Sequence, residues 1–456
     1  MDKIRIFLFI IATLIFIHSR PENHTLEGAD EQWPLSIPPK EPRPLGRVGS
    51  IPMVFAEELS LHGFLQTNYS VRVADDNPKG AKQGNLILGE EKIQLKGSLY
   101  PSKSKIGAFV KSDFYHDWVE EDWAFDFREG YIDFIDNKFG LRVGRQIYTW
   151  GVGDILFIND IFPKDWEAFY SGRPLEYLKI GVDSAKVDIY SDIVSMEAIV
   201  IPFFDPDDLP SAGRFHFFDP YPNIQNREVE KPESAFEKFG NMEYALRLYR
   251  YIGDFDFGAY FYKGFFRSPG MKADNFNSPS TVSHFYPELA VYGLSAQRST
   301  LGGVVSTEYG YYDSLDDRGG KDPGIENSQS RFLVGYQKAF PQDFSLGVQY
   351  YGELMHQYSQ YKDNFPSAFA KKDRFHQYIT LRFTKLLKYQ TVKLSLFTFY
   401  SPDAEDFLIM PEVSYNFTDN LQAILGANIF GGINDNTALG QHNKNDNVYV
   451  TLRYSF

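Results

Sequence analysis

Through most of the chain after residue 58, apolar and polar side chains take alternate positions in short stretches separated by turn-forming residues. In 447–456, Val448, Val450, Leu452, Tyr454 and Phe456 alternate with Asn447, Tyr449, Thr451, Arg453 and Ser455. Ile379, Leu381 and Phe383 alternate with Thr380, Arg382 and Thr384, and Phe344, Leu346, Val348 and Tyr350 with Ser345, Gly347 and Gln349. A period of two predicts a strand with one apolar face. Eighteen such stretches are readable, the first at 59–73, the fifth at 139–148, the sixth at 175–189 and the last at 447–456. In 141–148 (LRVGRQIY) the alternation fails, and both faces carry mixed residues.

The connections obey a second rule. After even-numbered stretches they are tight, as in PSK, IDNK, ST and LKYQ. After odd-numbered ones most are long: 74–84, 149–174, 204–241, 268–284, 314–327, 356–374 and 432–446, with 117–122 and 401–405 modest. Short periplasmic turns alternating with long external loops are the pattern of outer-membrane barrels. The expected fold is all-β, a single transmembrane antiparallel β-barrel of about 18 strands (16–20 if one pair is merged or missed). A soluble propeller would repeat a blade motif every ~40–50 residues, and none recurs.

Composition agrees. Phe 41, Tyr 30 and Trp 5 make the chain 17% aromatic, yet its mean hydropathy is −0.34. A barrel reconciles the two, because only alternate residues face lipid and aromatic girdles mark both interfaces. Lys3 and Arg5 precede an apolar run, Ile6–Ile17, that is too short to span a bilayer and fits a secretory signal. Residues 1–19 are thus expected to be a signal peptide, 20–57 a proline-rich periplasmic linker or arm, and 58–456 the barrel in a bacterial outer membrane. A net charge of −14 argues against nucleic acid as a partner, and the absence of cysteine removes disulfides and thiolate metal sites.

The ending Leu452, Tyr454, Phe456 resembles the C-terminal signal of outer-membrane barrels, which finish on alternating apolar residues and an aromatic. That resemblance implies delivery to a barrel-assembly machinery in a Gram-negative envelope. A narrower one rests on GFLQTNYSVR (63–72), LRVGRQIYTWGVGD (141–154), NDIFPKDW (159–166) and PLEYLKIGVDSAKVDIY (174–190). These stretches are similar to a porin-like outer-membrane family of mostly unknown function, whose mark is a Gly-Arg-Gln strand, then Trp-Gly and an Asp- and Pro-containing loop. Association with further copies of the chain is open, since no lipid face singles out a subunit interface.

Candidate chemistry centres on the third long connection, 149–174. Ile155, Leu156, Phe157, Ile158, Ile161, Phe162, Trp166 and Phe169 make it too apolar to hang in water. Folded inward, as the third loop of porins is, it would carry Asp154, Asp160, Lys164, Asp165 and Glu167 to a pore constriction. Packed on the rim, it would leave them in solvent. Arg142, Arg145 and Gln146 precede it. Arg145 shares a face with Leu141 and Val143, so it either sits at a bulge or interface, or turns inward to pair with Asp154 or Asp160. Parity gives Lys111, Asp113, Arg128, Arg247, Arg382, Lys393, Glu412 and Arg453 as inward charges. In the fourth loop, FFDP occurs at 203–206 and 217–220; with Asp207 and Asp208 it is read as turn chemistry ahead of a calcium site. No metal or cofactor is expected. The histidines of the region expected to be mature barrel (His62, His116, His216, His284, His356, His376, His442) form no recognisable triad, so an enzyme is not expected. The function expected is a channel for small hydrophilic solutes; the alternatives are a closed barrel serving as receptor, adhesin or structural protein, and a lipid-modifying enzyme.

Overall fold

The computed structural model describes residues 59–456 other than 75, 102–103, 225–226 and 367–370. The expected signal peptide (1–19) and proline-rich arm (20–57) lie outside the described residues. Strands run in chain order as β1 (Leu59–Arg72), β2 (Leu86–Leu99), β3 (Ile106–Asp117), β4 (Asp122–Ile135), β5 (Phe139–Gln146), β6 (Val182–Ile189) and β7 (Ser195–Ile201). They continue with β8 (Glu228–Glu230), β9 (Glu243–Ile252), β10 (Phe255–Phe265), β11 (Gly270–Ala273), β12 (Val282–Phe285), β13 (Glu288–Thr300) and β14 (Gly303–Ser314). The last seven are β15 (Gln329–Phe340), β16 (Phe344–Met355), β17 (Phe375–Leu387), β18 (Val392–Ser401), β19 (Asp406–Asn416), β20 (Leu421–Gly432) and β21 (Asn447–Ser455).

Eighteen of these form one antiparallel sheet, each paired with its sequence neighbours. The sheet closes where β21 pairs with β1, with Leu65 opposite Tyr454 and Asn68 opposite Thr451. At the seam, Phe456 N–H donates to the Gly63 carbonyl and Gly63 N–H to the Phe456 carbonyl, each at 2.9 Å. Closure leaves no sheet edge, which backbone in a bilayer requires. The remaining three strands, β8, β11 and β12, make a small sheet from the fourth and fifth long connections.

Parity sorts the wall into two faces. On β1, Gln66, Asn68, Ser70 and Arg72 turn inward and are buried, while Leu59, Leu61, Leu65 and Val71 turn outward and are exposed. On β21, Val450, Leu452 and Tyr454 belong to the outward set. Exposed apolar side chains on strand after strand would be unsustainable in water; they form the lipid band of an outer-membrane barrel.

Two irregularities serve the interior. In β4 an extra residue, Arg128, is inserted between Phe127 and Glu129, which pair with Ser112 and Lys111. This bulge turns Arg128 inward. In β5, Gly144 takes φ +133°, and a side chain there would strike the Gly130 carbonyl oxygen. That break accounts for the mixed faces of LRVGRQIY. The sequence places strand six at 175–189, but β6 begins at Val182. Residues 175–177 instead form a 3-10 turn, and Lys179 makes an isolated bridge with Lys164, so the third connection runs from 147 to 181.

Candidate functional site: the inward loop and the lumen wall

The third connection crosses the barrel interior and is pinned to wall strands far apart in sequence. Near its start, Trp150 Nε1 donates to Glu197 of β7 at 2.6 Å. The chain then wraps the buried carboxylate of Glu308 on β14. Val152 N–H (2.9 Å) and Gly153 N–H (3.1 Å) reach one oxygen, and Asn159 N–H (2.7 Å) the other. Successive backbone N–H groups curled about an anion form a nest; here the anion belongs to the wall. At the same level Gln349 of β16 exchanges two bonds with the Asp154 backbone, at 2.7 and 2.9 Å. The Asp154 carboxylate takes both Nε and Nη2 of Arg382 on β17, the second at 2.8 Å.

The middle of the loop carries its own charged core. Asp160 receives Lys164 Nζ at 2.9 Å and Lys179 Nζ at 2.6 Å, and all three side chains are buried. Lys179 comes from beyond the loop end read in the sequence. A short helix follows, Trp166–Ser171, with Asp165 as its N-cap accepting Ala168 N–H at 2.6 Å. Burial pushes the Asp165 carboxyl up to about 6, opposed by Arg173 and by the Ala168 N–H.

The return leg binds the other side of the barrel. The Tyr170 carbonyl accepts from Asn428 of β20 (2.9 Å) and Asn447 of β21 (3.0 Å). Arg173 pairs with Glu90 of β2 at 2.7 Å, and Glu176 pairs with Arg453 of β21. Arg128, from its bulge, donates to the carbonyls of Glu176 (2.8 Å) and Lys179 (3.4 Å). Apolar packing fills the space between these struts. Leu156, Ile158, Ile161, Phe162 and Phe169 join inward residues such as Ile199, Val291, Leu333, Phe397 and Phe430 in one buried cluster.

The fourth connection lies over the third. Asp207 accepts Lys164 N–H at 2.8 Å and Trp166 Nε1 at 3.1 Å. Burial raises the carboxyls of both Asp207 and Asp208 above their usual range. Arg214 reaches Asp117 on β3, the Ile87 carbonyl (2.8 Å) and Glu167 (3.1 Å). Asp219, in the second FFDP, holds Arg227 at 2.7 Å.

Of the five residues placed at a constriction by sequence, Asp154 alone keeps a large exposed fraction, 44% of its side chain. Asp160 and Lys164 face each other, Asp165 caps the helix, and Glu167 accepts Ser211 N–H at 2.8 Å and pairs with Arg214. Lys111, Asp113, Arg247, Arg382, Lys393, Glu412 and Arg453 all fall on the inward register. Arg142 also turns inward and grips Asp133 at 2.6 Å, and Gln146 is buried against the Ser184 carbonyl at 3.3 Å. Arg145 lies on the outward parity. Its partners are Asp183 of β6 (3.7 Å) and Asp205 of the fourth connection (3.4 Å), in place of an acidic residue of the third. Parity alone puts the Gly144 neighbour on that face.

Sequence reasoning missed Glu308, Gln349, Glu90 and Arg173, which anchor the loop. One signal was available. Gly293 and Gly310 are inward glycines on adjacent strands, and a side chain at either would strike Asn159 or Ile158. Inward glycines on neighbouring strands mark close approach of another backbone.

No family model matches the chain, and no curated protein matches it either. Solved structures do. OccAB3 of Acinetobacter baumannii is 10% identical, with 87% of this chain and 99% of that one covered and a TM-score of 0.53. OccK2 (OpdF) of Pseudomonas aeruginosa, solved in complex with glucuronate, is 9% identical over 87% and 98%, with a TM-score of 0.52. OccK11 (OpdR) of the same organism is 9% identical over 87% and 96%, with a TM-score of 0.50. These neighbours are outer-membrane porins, and what they share with this chain is the barrel fold. With its closed eighteen-stranded wall and lipid-facing band, the chain is a bacterial outer-membrane protein of porin-like architecture.

Proposed function

We propose that this protein is an outer-membrane channel for small hydrophilic solutes, filtered by inward charges and by the third connection. The observation that carries the reading is the Asp154–Arg382 pair, a half-exposed charge where the loop meets the wall. Lys111, Arg247, Lys393, Glu412 and Arg453 stand partly exposed on the same inner face. A barrel of eighteen strands is wide enough for an aqueous channel, and charge at a narrow point sets ion preference through field and desolvation. In this reading Asp154 lines the constriction, and Asp160, Lys164, Asp165 and Glu167 are struts that hold it in place. Glucuronate in OccK2 is a small hydrophilic acid of the kind that cationic wall groups would admit.

The same reading sets the long-loop end outside the cell and assigns Leu452, Tyr454 and Phe456 as the handle for a barrel-assembly machinery. It also keeps the Gly144-Arg145-Gln146 and Trp150-Gly151 stretch as kinship to the porin-like family. A closed barrel is the second reading, favoured by the loop's contacts with β2, β4, β7, β14, β16, β17, β20 and β21 and by its apolar packing.

Swelling of liposomes carrying the protein, in sugars and small acids of graded size, separates the two. The channel reading expects swelling that falls with solute size, and a larger single-channel conductance when 155–165 is deleted. No swelling at any size by the native protein, with conductance appearing only when 155–165 is deleted, favours the closed barrel.

A further inference from the structure

Gly347 of β16 is an inward glycine that neither backbone conformation nor packing requires. Its φ is not left-handed, and a Cβ there would meet nothing closer than 3.8 Å, the side chains of Arg382 and Gln337. A glycine weakens a strand interior, and where it persists it often marks close approach of a ligand or of another backbone. Gly293 and Gly310 are of the second kind, because the third connection fills the space beside them. No backbone approaches Gly347, which leaves the first. Its surroundings are uncharged and can hydrogen-bond. In register, Gln337 of β15 lies on one side and Arg382 of β17 on the other. Ser345, the next inward residue toward the short turn, pairs with Thr384, and both side chains are half-buried on the lumen wall. Arg382 brings no unpaired charge, because Asp154 already holds it. The opposite wall differs. At the same end of the lumen it carries Lys111, Asp133, Arg142, Lys186, Asp188 and Glu197.

We propose that Gly347 is the floor of a binding site for an uncharged polyhydroxy solute. A sugar ring lies on the bare backbone with its hydroxyls toward Gln337, Ser345 and Thr384. The complementarity is chemical. A hydroxyl both donates and accepts, and so does a side-chain amide, so these groups replace the water that a sugar sheds at a narrow point. A carboxylate is a poorer match here, because Asp154 occupies the adjacent cation and stays 44% exposed. The cations of the opposite wall receive an acid better. Gly347 is two residues nearer the short turn than Gln349, which holds the Asp154 backbone, so a solute that clears the loop meets this site next. The site deepens the channel reading, on which the solute's passage rests; the binding itself does not require passage.

The test is saturation-transfer NMR of the full chain in detergent, with glucose and with glucuronate at equal concentration, run beside liposome swelling. Heat-modifiable gel migration confirms that each variant is folded. Gly347→Leu fills the seat, which has room for a side chain. The double variant Ser345→Ala, Thr384→Ala removes the hydroxyls without narrowing the lumen. The expected result is transfer to glucose roughly threefold above that to glucuronate, lost in Gly347→Leu, with glucose affinity about tenfold weaker in the double variant. Equal transfer to the two solutes, or transfer to glucose unchanged in either variant, overturns the site. Swelling in glucose alongside that result leaves the channel standing without it. Transfer lost in Gly347→Leu, with no swelling by the native protein, keeps the site and removes the passage.

Discussion

Gly293 of β13 and Gly310 of β14 stand opposite one another in register, and the third connection occupies the space their side chains would fill. A Cβ on Gly293 would lie 1.6 Å from Asn159 Oδ1, and one on Gly310 would lie 2.7 Å from Ile158 Cγ2. The wall has been hollowed where the loop presses on it. Gly310→Val is therefore expected to displace the loop without breaking the barrel, at about 1–3 kcal/mol of overpacking. Planar-bilayer recordings should show a larger conductance, while gel migration still reports a folded barrel. Unchanged conductance would mean that the loop does not narrow the path.

Arg382 and Asp154 also carry a prediction about charge. Arg382→Gln removes the cation and leaves a half-exposed carboxylate at the loop's contact with the wall. The reversal potential in a salt gradient should move toward cation preference. Asp154→Asn should move it the other way.

Asp160 is shared by two buried lysines. Asp160→Asn leaves Lys164 and Lys179 beside each other without their shared carboxylate. Breaking a buried pair from one side costs about 3–5 kcal/mol. The loss should appear as faster proteolysis within 155–165 and a lower Tm. Replacing both lysines with methionine in the same variant should restore part of the stability.

The Asp165 carboxyl titrates at about 6 in the folded chain, above its ordinary value near 3.9, because it is buried. Between those values the folded state binds more protons than the unfolded one, so stability falls as pH rises. The contribution is on the order of 2–3 kcal/mol across the window. Asp165→Asn keeps a capping side chain and lacks this titration. Its Tm relative to the native chain should improve from pH 4 to pH 7; a constant difference would contradict the assignment.

Phe456 closes the seam by backbone bonds to Gly63, and its ring lies 2.8 Å from where a Gly63 Cβ would be. Phe456→Ala is expected to lower the amount of barrel recovered in the outer membrane several-fold. Its effect on barrel refolded in detergent should be small. That split tests the residue as an assembly handle.

The strands and their alternating connections were legible because both are local signals: a period of two, and turn residues at short gaps. Inward parity of Lys111, Arg247, Arg382, Lys393 and Arg453 followed from the same period. The loop was only half legible. Its apolar content announced burial, but its end was misplaced because LEYLKIG (175–181) alternates like a strand while folding as a turn and a bridge to Lys164. That error hid Lys179, and with it the reason Asp160 and Lys164 are buried. Glu308 and Gln349 were invisible for another reason. Each is an unremarkable polar residue on its own strand, and acquires a role only from a loop some 150 to 200 positions away.

Those separations bear on the order of events during biogenesis. Asn159 meets Glu308 across 149 positions, Asp154 meets Arg382 across 228, and Glu176 meets Arg453 across 277. The loop is made long before the strands that receive it, and non-local pairing of this kind is slow to form. The loop's anchors on β14, β17 and β21 can form only after those strands have joined the wall. Until then 155–169 travels as an uncovered apolar segment, adding to the aggregation-prone surface of the strands in transit.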